Sequence, residues 1–246
     1  ALIAIEHGKI SIEAHARALG VASFAVADVT RHYYDTCIRY LIYGNVLKNS
    51  TYPLSVSAER IVQAIAVAEH AQKIGAAAIA HGSTGAGNDQ VRFDMIFQSM
   101  APEAEIITPI RDQQLSREAE IAFLKANDVT MNFEKAAYSI NKGLWGTSVG
   151  GKETLNSRQP LPEDAWPTPV TKTTPEKVSL RFEKGELAAI NDMSFDHPAL
   201  AINHLQELAQ PFGIGRDIHV GDTIIGIKGR VGFEAAAPLL IIKAHH

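Results

Sequence analysis

The chain has 246 residues, of which 46% are hydrophobic and 20% charged, with a formal net charge of −4. That balance suits one large or two modest globular domains, and a slightly acidic chain without a basic run gives no electrostatic basis for binding nucleic acid. The single cysteine, Cys37, excludes an intrachain disulfide and fits a reducing, cytoplasmic compartment.

No apolar run reaches membrane-spanning length. The opening ALIAIEHGK lacks a basic region and a small-residue cleavage site, so no signal peptide is expected there. The apolar run at residues 22–27, ASFAVA, lies between Gly20 and Asp28 and reads as a buried strand. Ser57 opens a helical pattern, SAERIVQAIAVAEHAQKIG, with Ile61, Ile65 and Ala68 on one face and Gly75 just past its end. A second apolar run, AAAIA at residues 76–80, leads into a glycine-rich loop and then a helix over about 88–100. EIITPI is a third strand candidate, and Ser116 opens another helix with acidic residues in its first turn. Strands alternating with helices predict an α/β fold with a parallel sheet.

The pattern breaks near residue 130. Prolines 160, 162, 167, 169 and 175 mark an irregular excursion. KVSLRFEKGELAAI then reads as a hairpin turning at Lys184-Gly185, and HPALAINHLQELAQPFG as an amphipathic helix with Pro198 in its first turn. GDTIIGIKGRVGFE reads as one strand interrupted by glycines, and AAAPLLIIKAHH as the start of a helix. The expected organisation is an α/β domain over residues 1–130 and an α+β domain over 131–246.

The chemistry concentrates in HGSTGAGNDQVRF, residues 81–93. A loop between the end of a parallel strand and a helix N-terminus is where open α/β sheets bind ligands, and the first-turn amides there favour an anion. Gly82, Gly85 and Gly87 let backbone approach a ligand, Thr84 offers a hydroxyl, and Asn88 and Asp89 can either cap the helix or meet an amine or amide. Arg92, one helical turn on, suits a carboxylate. The same composition also joins strands to helices where nothing binds. The spacing matches neither the dinucleotide fingerprint nor a Walker loop, so generic rules stop at an anion or zwitterion site.

That stretch resembles the H-G-x-T-G-x-G-N-D-Q-x-R-F signature of the argininosuccinate synthase family. The resemblance runs from about Ile12 to the end and extends through TYPLSVSAER, YSINKGLWGTS and IGRDIHVGDTIIGIKGRVGFE. It implies an ATP pyrophosphatase-like nucleotide-binding domain followed by an α+β synthetase domain. It also implies ATP-dependent ligation of citrulline to aspartate, giving argininosuccinate, AMP and pyrophosphate through a citrullyl-AMP intermediate. On matching positions, Thr84, Asn88 and Asp89 would hold aspartate, with Asp89 facing its amine. Tyr52, Ser57, Asn88, Arg92, Ser139 and Ser148 would line the citrulline pocket. His81, Gly82, Ser83, Gly85 and Gly87 would border the nucleotide. Ser57 and Ser139 also suit capping roles. No metal-ligand cluster is visible, so Mg²⁺ is expected to arrive with ATP. A cytoplasmic homotetramer follows from the resemblance alone.

The chain departs from the family in three places. The S-G-G-x-D pyrophosphate loop and the long C-terminal segment have no counterpart here, so the chain is expected to be part of a longer protein. A protein truly of 26.6 kDa would read instead as a non-catalytic amino-acid or nucleotide binder. Gly221 stands where the family has glutamate, and Phe233 where it has tyrosine. Loss of that carboxylate raises the alternative of an N-acylated citrulline with an uncharged α-nitrogen, against compensation by His219 or Asp222. Ala86 replaces a frequent lysine, which removes one charge from the loop.

Overall fold

The computed structural model describes residues 9–129 and 138–246, so the first eight residues of the opening segment and the break after residue 129 lie outside the described residues. In chain order the elements are α1 (Lys9–Ala18), α2 (Thr30–Tyr33), a π-helical turn (Tyr34–Ile38), α3 (Arg39–Tyr43), α4 (Ser57–Ile74) and β1 (Ala78–Ala80). They continue with α5 (Asp89–Met100), β2 (Glu105–Ile107), α6 (Pro109–Asp112), α7 (Arg117–Ala126), β3 (Ser139–Gly143) and β4 (Gly146–Gly150). The last are β5 (Leu180–Glu183), β6 (Glu186–Ile190), β7 (Met193–Ser194), α8 (Pro198–Ala209), β8 (Arg216–Asp222), β9 (Lys228–Glu234) and α9 (Ala236–His245). The chain divides into two compact units, neither of them continuous in sequence. The first gathers Ala1–Val29, Arg60–Ala136 and Asp222–Ile227, and the second Thr30–Glu59, Ala137–Gly221 and Lys228–His246.

In the first unit β1 and β2 pair in parallel, Ala78 opposite Glu105 and Ala80 opposite Ile107. Ala64, Ala68 and Ala71 recur at helical spacing along α4 and bury against Ile79, Phe97 and Ala101, with Phe93 at the margin. Small residues on that stripe let β1 and α5 pack closely against α4. Gly75 ends α4 in the left-handed region at φ 63°, with the Ala76 N–H donating to Ala71 O at 2.9 Å. Ser116 caps α7 by accepting from the Ala119 N–H.

Two sheets organise the second unit. One has the order β3-β4-β9-β8, and the other β5-β6-β7. β4 and β9 are antiparallel, with Ser148 opposite Phe233. Trp145, in the turn between β3 and β4, is fully buried and donates Nε1–H to Pro53 O at 2.9 Å. Leu187 and Ile190 of β6, Ile202 and Leu205 of α8, and Ile241 of α9 complete the core. The expected hairpin forms, with Lys184 and Gly185 at φ 52° and 85°, the positive values a type I′ turn needs.

Two expectations are corrected. Residues 22–27 form no strand: the run pairs with nothing among the described residues and its side chains are half-buried or exposed. An apolar run becomes a strand only where a neighbour completes its ladder. Residues 221–234 are not one strand but the end of β8, a turn at 223–227 and β9, because Gly226 sits at φ 82° and the Thr223 N–H donates to Ile227 O, reversing the chain.

Gly215 is held at φ 77°, and a Cβ there would lie 2.5 Å from the Ala235 carbonyl carbon. Gly215→Ala is expected to cost roughly 2–4 kcal/mol through left-handed strain and overlap. A lowered urea midpoint checks this, and an unchanged midpoint contradicts it.

Candidate functional site

The loop at residues 81–88 leaves the end of β1 and enters α5, all within the first unit. It is held by side chains from α5 and α6. His81 Nδ1 accepts from the Ser83 N–H at 3.2 Å, so its proton sits on Nε2, which faces Asp94 Oδ1 at 2.9 Å. The other oxygen of Asp94 takes Arg111 Nη1–H. Arg111 also donates to Gln90 Oε1 at 3.2 Å and Thr108 Oγ1 at 3.0 Å, and Gln90 in turn donates to Gly85 O. Burial alone pushes the Asp94 carboxyl up, but hydrogen bonds from His81 and Arg111 outweigh it and hold the group below its usual range. The bond to Asp94 likewise keeps Arg111 firmly protonated.

The mouth of the loop is polar. Asp89 Oδ2 accepts from Arg60 Nε at 3.2 Å and its Oδ1 from Arg92 Nη1 at 3.0 Å. Arg60 also reaches Gln63 at 2.7 Å. The carboxylate that Arg92 meets here is the protein's own Asp89. Asn88, for which capping was one of two readings, lies in the helical region at φ −77° with no side-chain cap bond. Its Oδ1 accepts the Ile224 N–H at 2.6 Å. The hydroxyl-bearing Thr84 and the glycines at 82 and 85 are exposed on the open side.

In the second unit the structure gathers Tyr52, Ser148, Gly221 and Phe233. The Tyr52 ring stacks on His219 at 4.9 Å and packs against Phe233 at 5.1 Å. Phe233 is fully buried and Ser148 nearly so. A Cβ on Gly221 would come within 2.6 Å of His219 Nε2, so the imidazole fills the space a side chain there would take. His219 is buried, its Nδ1 has no partner among the described residues, and burial followed by the Lys48 charge lowers its pKa. Ser139 is exposed on β3, and Ser57 begins α4.

Further along β9 the buried Glu234 accepts from Arg216 Nε at 3.1 Å and from the Thr168 N–H at 3.3 Å. Its carboxyl is raised by burial, with Thr168 and Arg216 opposing. Arg216 also lies 5.2 Å over the Trp166 ring, tying the proline-rich excursion to the sheet. Asp94, Arg111, Gln90 and Arg216 were not legible as site supports, because their partners are distant in sequence or carry no spacing rule.

Residues 5–130 match the family model described as Arginosuccinate synthase N-terminal HUP domain, and residues 138–246 match Arginosuccinate synthase C-terminal domain. The chain belongs to the argininosuccinate synthase family. It is 37% identical over 235 residues to an argininosuccinate synthase of Sulfurisphaera tokodaii, covering 95% of this chain and 60% of that protein. It is 38% identical over 238 residues to the Thermoplasma volcanium protein of that name, covering 96% and 59%. With the Methanocaldococcus jannaschii protein it shares 36% over 237 residues, covering 95% and 60%. The chain therefore spans about 60% of the length of these relatives. Its architecture is that of the family: a HUP domain carrying a parallel sheet, and a C-terminal synthetase domain. Among the described residues no helix is long and apolar enough to cross a membrane, and no three histidine, cysteine or acidic side chains converge as a metal site.

Because the Asp94 carboxyl is held below its ordinary 3.8, its contribution to stability is present above that value and is lost as pH falls through the folded value. Asp94→Asn should therefore destabilise the first unit by about 1–3 kcal/mol at pH 7. The gap from wild type should narrow as pH is lowered below 3.8 and through the folded value. Thermal melts at neutral and acid pH check the sign: a gap that widens in acid contradicts it.

Proposed function

We propose that the protein ligates citrulline and aspartate at the expense of ATP, releasing AMP and pyrophosphate. The observation that carries this reading is the loop at residues 81–89, where exposed backbone, a threonine hydroxyl, the Asn88 amide and the Asp89 carboxylate occur together at a helix start. The ureido oxygen of citrulline attacks the α-phosphate of ATP, forming citrullyl-AMP as pyrophosphate leaves. The aspartate amine then attacks the ureido carbon, and AMP departs. Asp89, with two oxygens and spare acceptor positions, faces the aspartate amine, while Thr84 and Asn88 donate to its carboxylates. Gly82, Ser83, Gly85 and Gly87 lie against the nucleotide. His81, its ring committed to Asp94 and Ser83, shapes that border without touching the phosphates. Tyr52, Ser57, Asn88, Arg92, Ser139 and Ser148 are assigned to citrulline. Mg²⁺ enters as the nucleotide's own counter-ion, and the assembly is a homotetramer. Such chemistry draws its rate from positioning and charge stabilisation, so no covalent side-chain catalyst is required.

One observation favours a second reading of the citrulline subsite. At Gly221 the family's carboxylate is replaced by the lowered-pKa imidazole of His219, which supplies no negative charge for an α-ammonium. An N-acylated citrulline, whose α-nitrogen is an uncharged amide, suits that environment.

The purified full-length protein should release AMP, and turn over pyrophosphate repeatedly, only when citrulline or its N-acyl form, aspartate and ATP are all present. Sustained AMP release without aspartate would contradict the ligase reading. Asp89→Asn should lower kcat/KM for aspartate roughly 10–100-fold, as expected for loss of one charge-assisted hydrogen bond. Comparing kcat/KM for free and N-acetyl citrulline separates the two substrate readings: preference for the free amino acid removes the second.

A further inference from the structure

Asn88 is the hinge between the loop and α5, yet its side chain does not serve its own helix. An asparagine amide is symmetric in shape, and only its hydrogen bonds decide which end is oxygen. Here a backbone donor decides it: the Ile224 N–H lies 2.6 Å from Asn88 Oδ1. The donor comes from residues 222–227, which belong to the first unit with Asn88. That turn is braced from within. The Thr223 N–H donates to Ile227 O at 2.8 Å, the Gly226 N–H to Thr223 O at 3.0 Å, and the Ile227 N–H to Thr223 Oγ1 at 3.0 Å. The Ile224 N–H takes no part in this bracing and is directed at Asn88. The Ile224, Ile225 and Ile227 side chains are all about half exposed, so the segment's role at Asn88 is carried by its backbone and not by a buried side chain.

We propose that Ile224 is a positioning residue: its N–H pins Asn88 Oδ1, so that the Nδ2 hydrogens are what Asn88 presents to substrate. The substrate group meeting Asn88 is then an acceptor, a carboxylate or ureido oxygen, while amines are left to Asp89. A second consequence is local. With Asn88 Oδ1 engaged by Ile224, the side chain does not cap the first-turn amides of α5, which keeps them available to the same acceptor. This rests on the ligase reading for its kinetic test but not for its structural one.

Two experiments on the full-length protein test it. Hydrogen exchange should show the Ile224 amide protected in wild type and in Asn88→Asp, which keeps an acceptor. In Asn88→Ala the amide should exchange at least tenfold faster. An amide unprotected in wild type, or protected equally in all three, overturns the pinning. In kinetics, Ile224→Pro removes the donor and Ile224→Ala keeps it. Ile224→Pro should raise KM for citrulline, aspartate or both about 5–20-fold, with KM for ATP within twofold of wild type, while Ile224→Ala stays within twofold throughout. Equal effects of the two variants, or a parallel loss in all three substrates, overturn the positioning role. A wild-type protein with no ligase activity would instead refute the functional reading, and the exchange result would still decide the pinning.

Discussion

One carboxylate holds the loop on which the account depends. Asp94, one helical turn and more into α5, takes His81 on one oxygen and Arg111 on the other, joining the end of β1 to the α6 region. Arg111 passes the constraint to Gln90, and Gln90 passes it to the Gly85 carbonyl. A glycine-rich segment pays heavily in backbone entropy to be ordered. Charge-assisted bonds behind it supply that order and leave the front open, with Thr84, Gly82 and Gly85 facing outward. The same glycines left free would be a tether; braced, they form a preorganised surface for a ligand.

The two units divide the chemistry in a way that follows from their construction. The first offers short-range polarity: carboxylates and guanidiniums paired around a helix start, with Asp89 between Arg60 and Arg92. The second offers a packed aromatic face, Tyr52 against His219 and Phe233, with Ser148 on the strand next to Phe233. Phe233 has no hydroxyl to satisfy and is wholly buried. Gly221 leaves its space to His219, and a side chain added at 221 would meet that ring.

Much of this was legible in the sequence, and the rest was hidden for identifiable reasons. The helices at 57–74, 89–100, 117–126 and 198–209 follow from apolar spacing and from Ser116, Gly75 and Pro198 as start and stop signals. The hairpin at Lys184-Gly185 follows from turn chemistry. The motif at residues 81–93 identified the loop itself. Residues 22–27 have strand composition, but strand formation depends on a partner that composition does not reveal. The turn at 223–227 was lost within a run of isoleucines, because one left-handed glycine and a threonine hydroxyl reverse the chain there. The supports of the loop were hidden more deeply. Nothing in the spacing of His81, Asp94 and Arg111 links them, since each lies on a different element and they meet only when α5 and α6 are in place. The helix-start position of Asn88 left capping open as one reading, and a backbone donor far along the chain, which no spacing reveals, takes the side chain instead.

The central claim is that the loop at residues 81–89 holds aspartate with its amine toward Asp89. A crystal structure of the full-length protein with aspartate at saturating concentration tests this most directly. Aspartate should lie against this loop, its nitrogen within about 3.2 Å of an Asp89 oxygen and a carboxylate oxygen within about 3.2 Å of Asn88 Nδ2. Aspartate ordered elsewhere, or bound here with its amine toward Asn88, would contradict it.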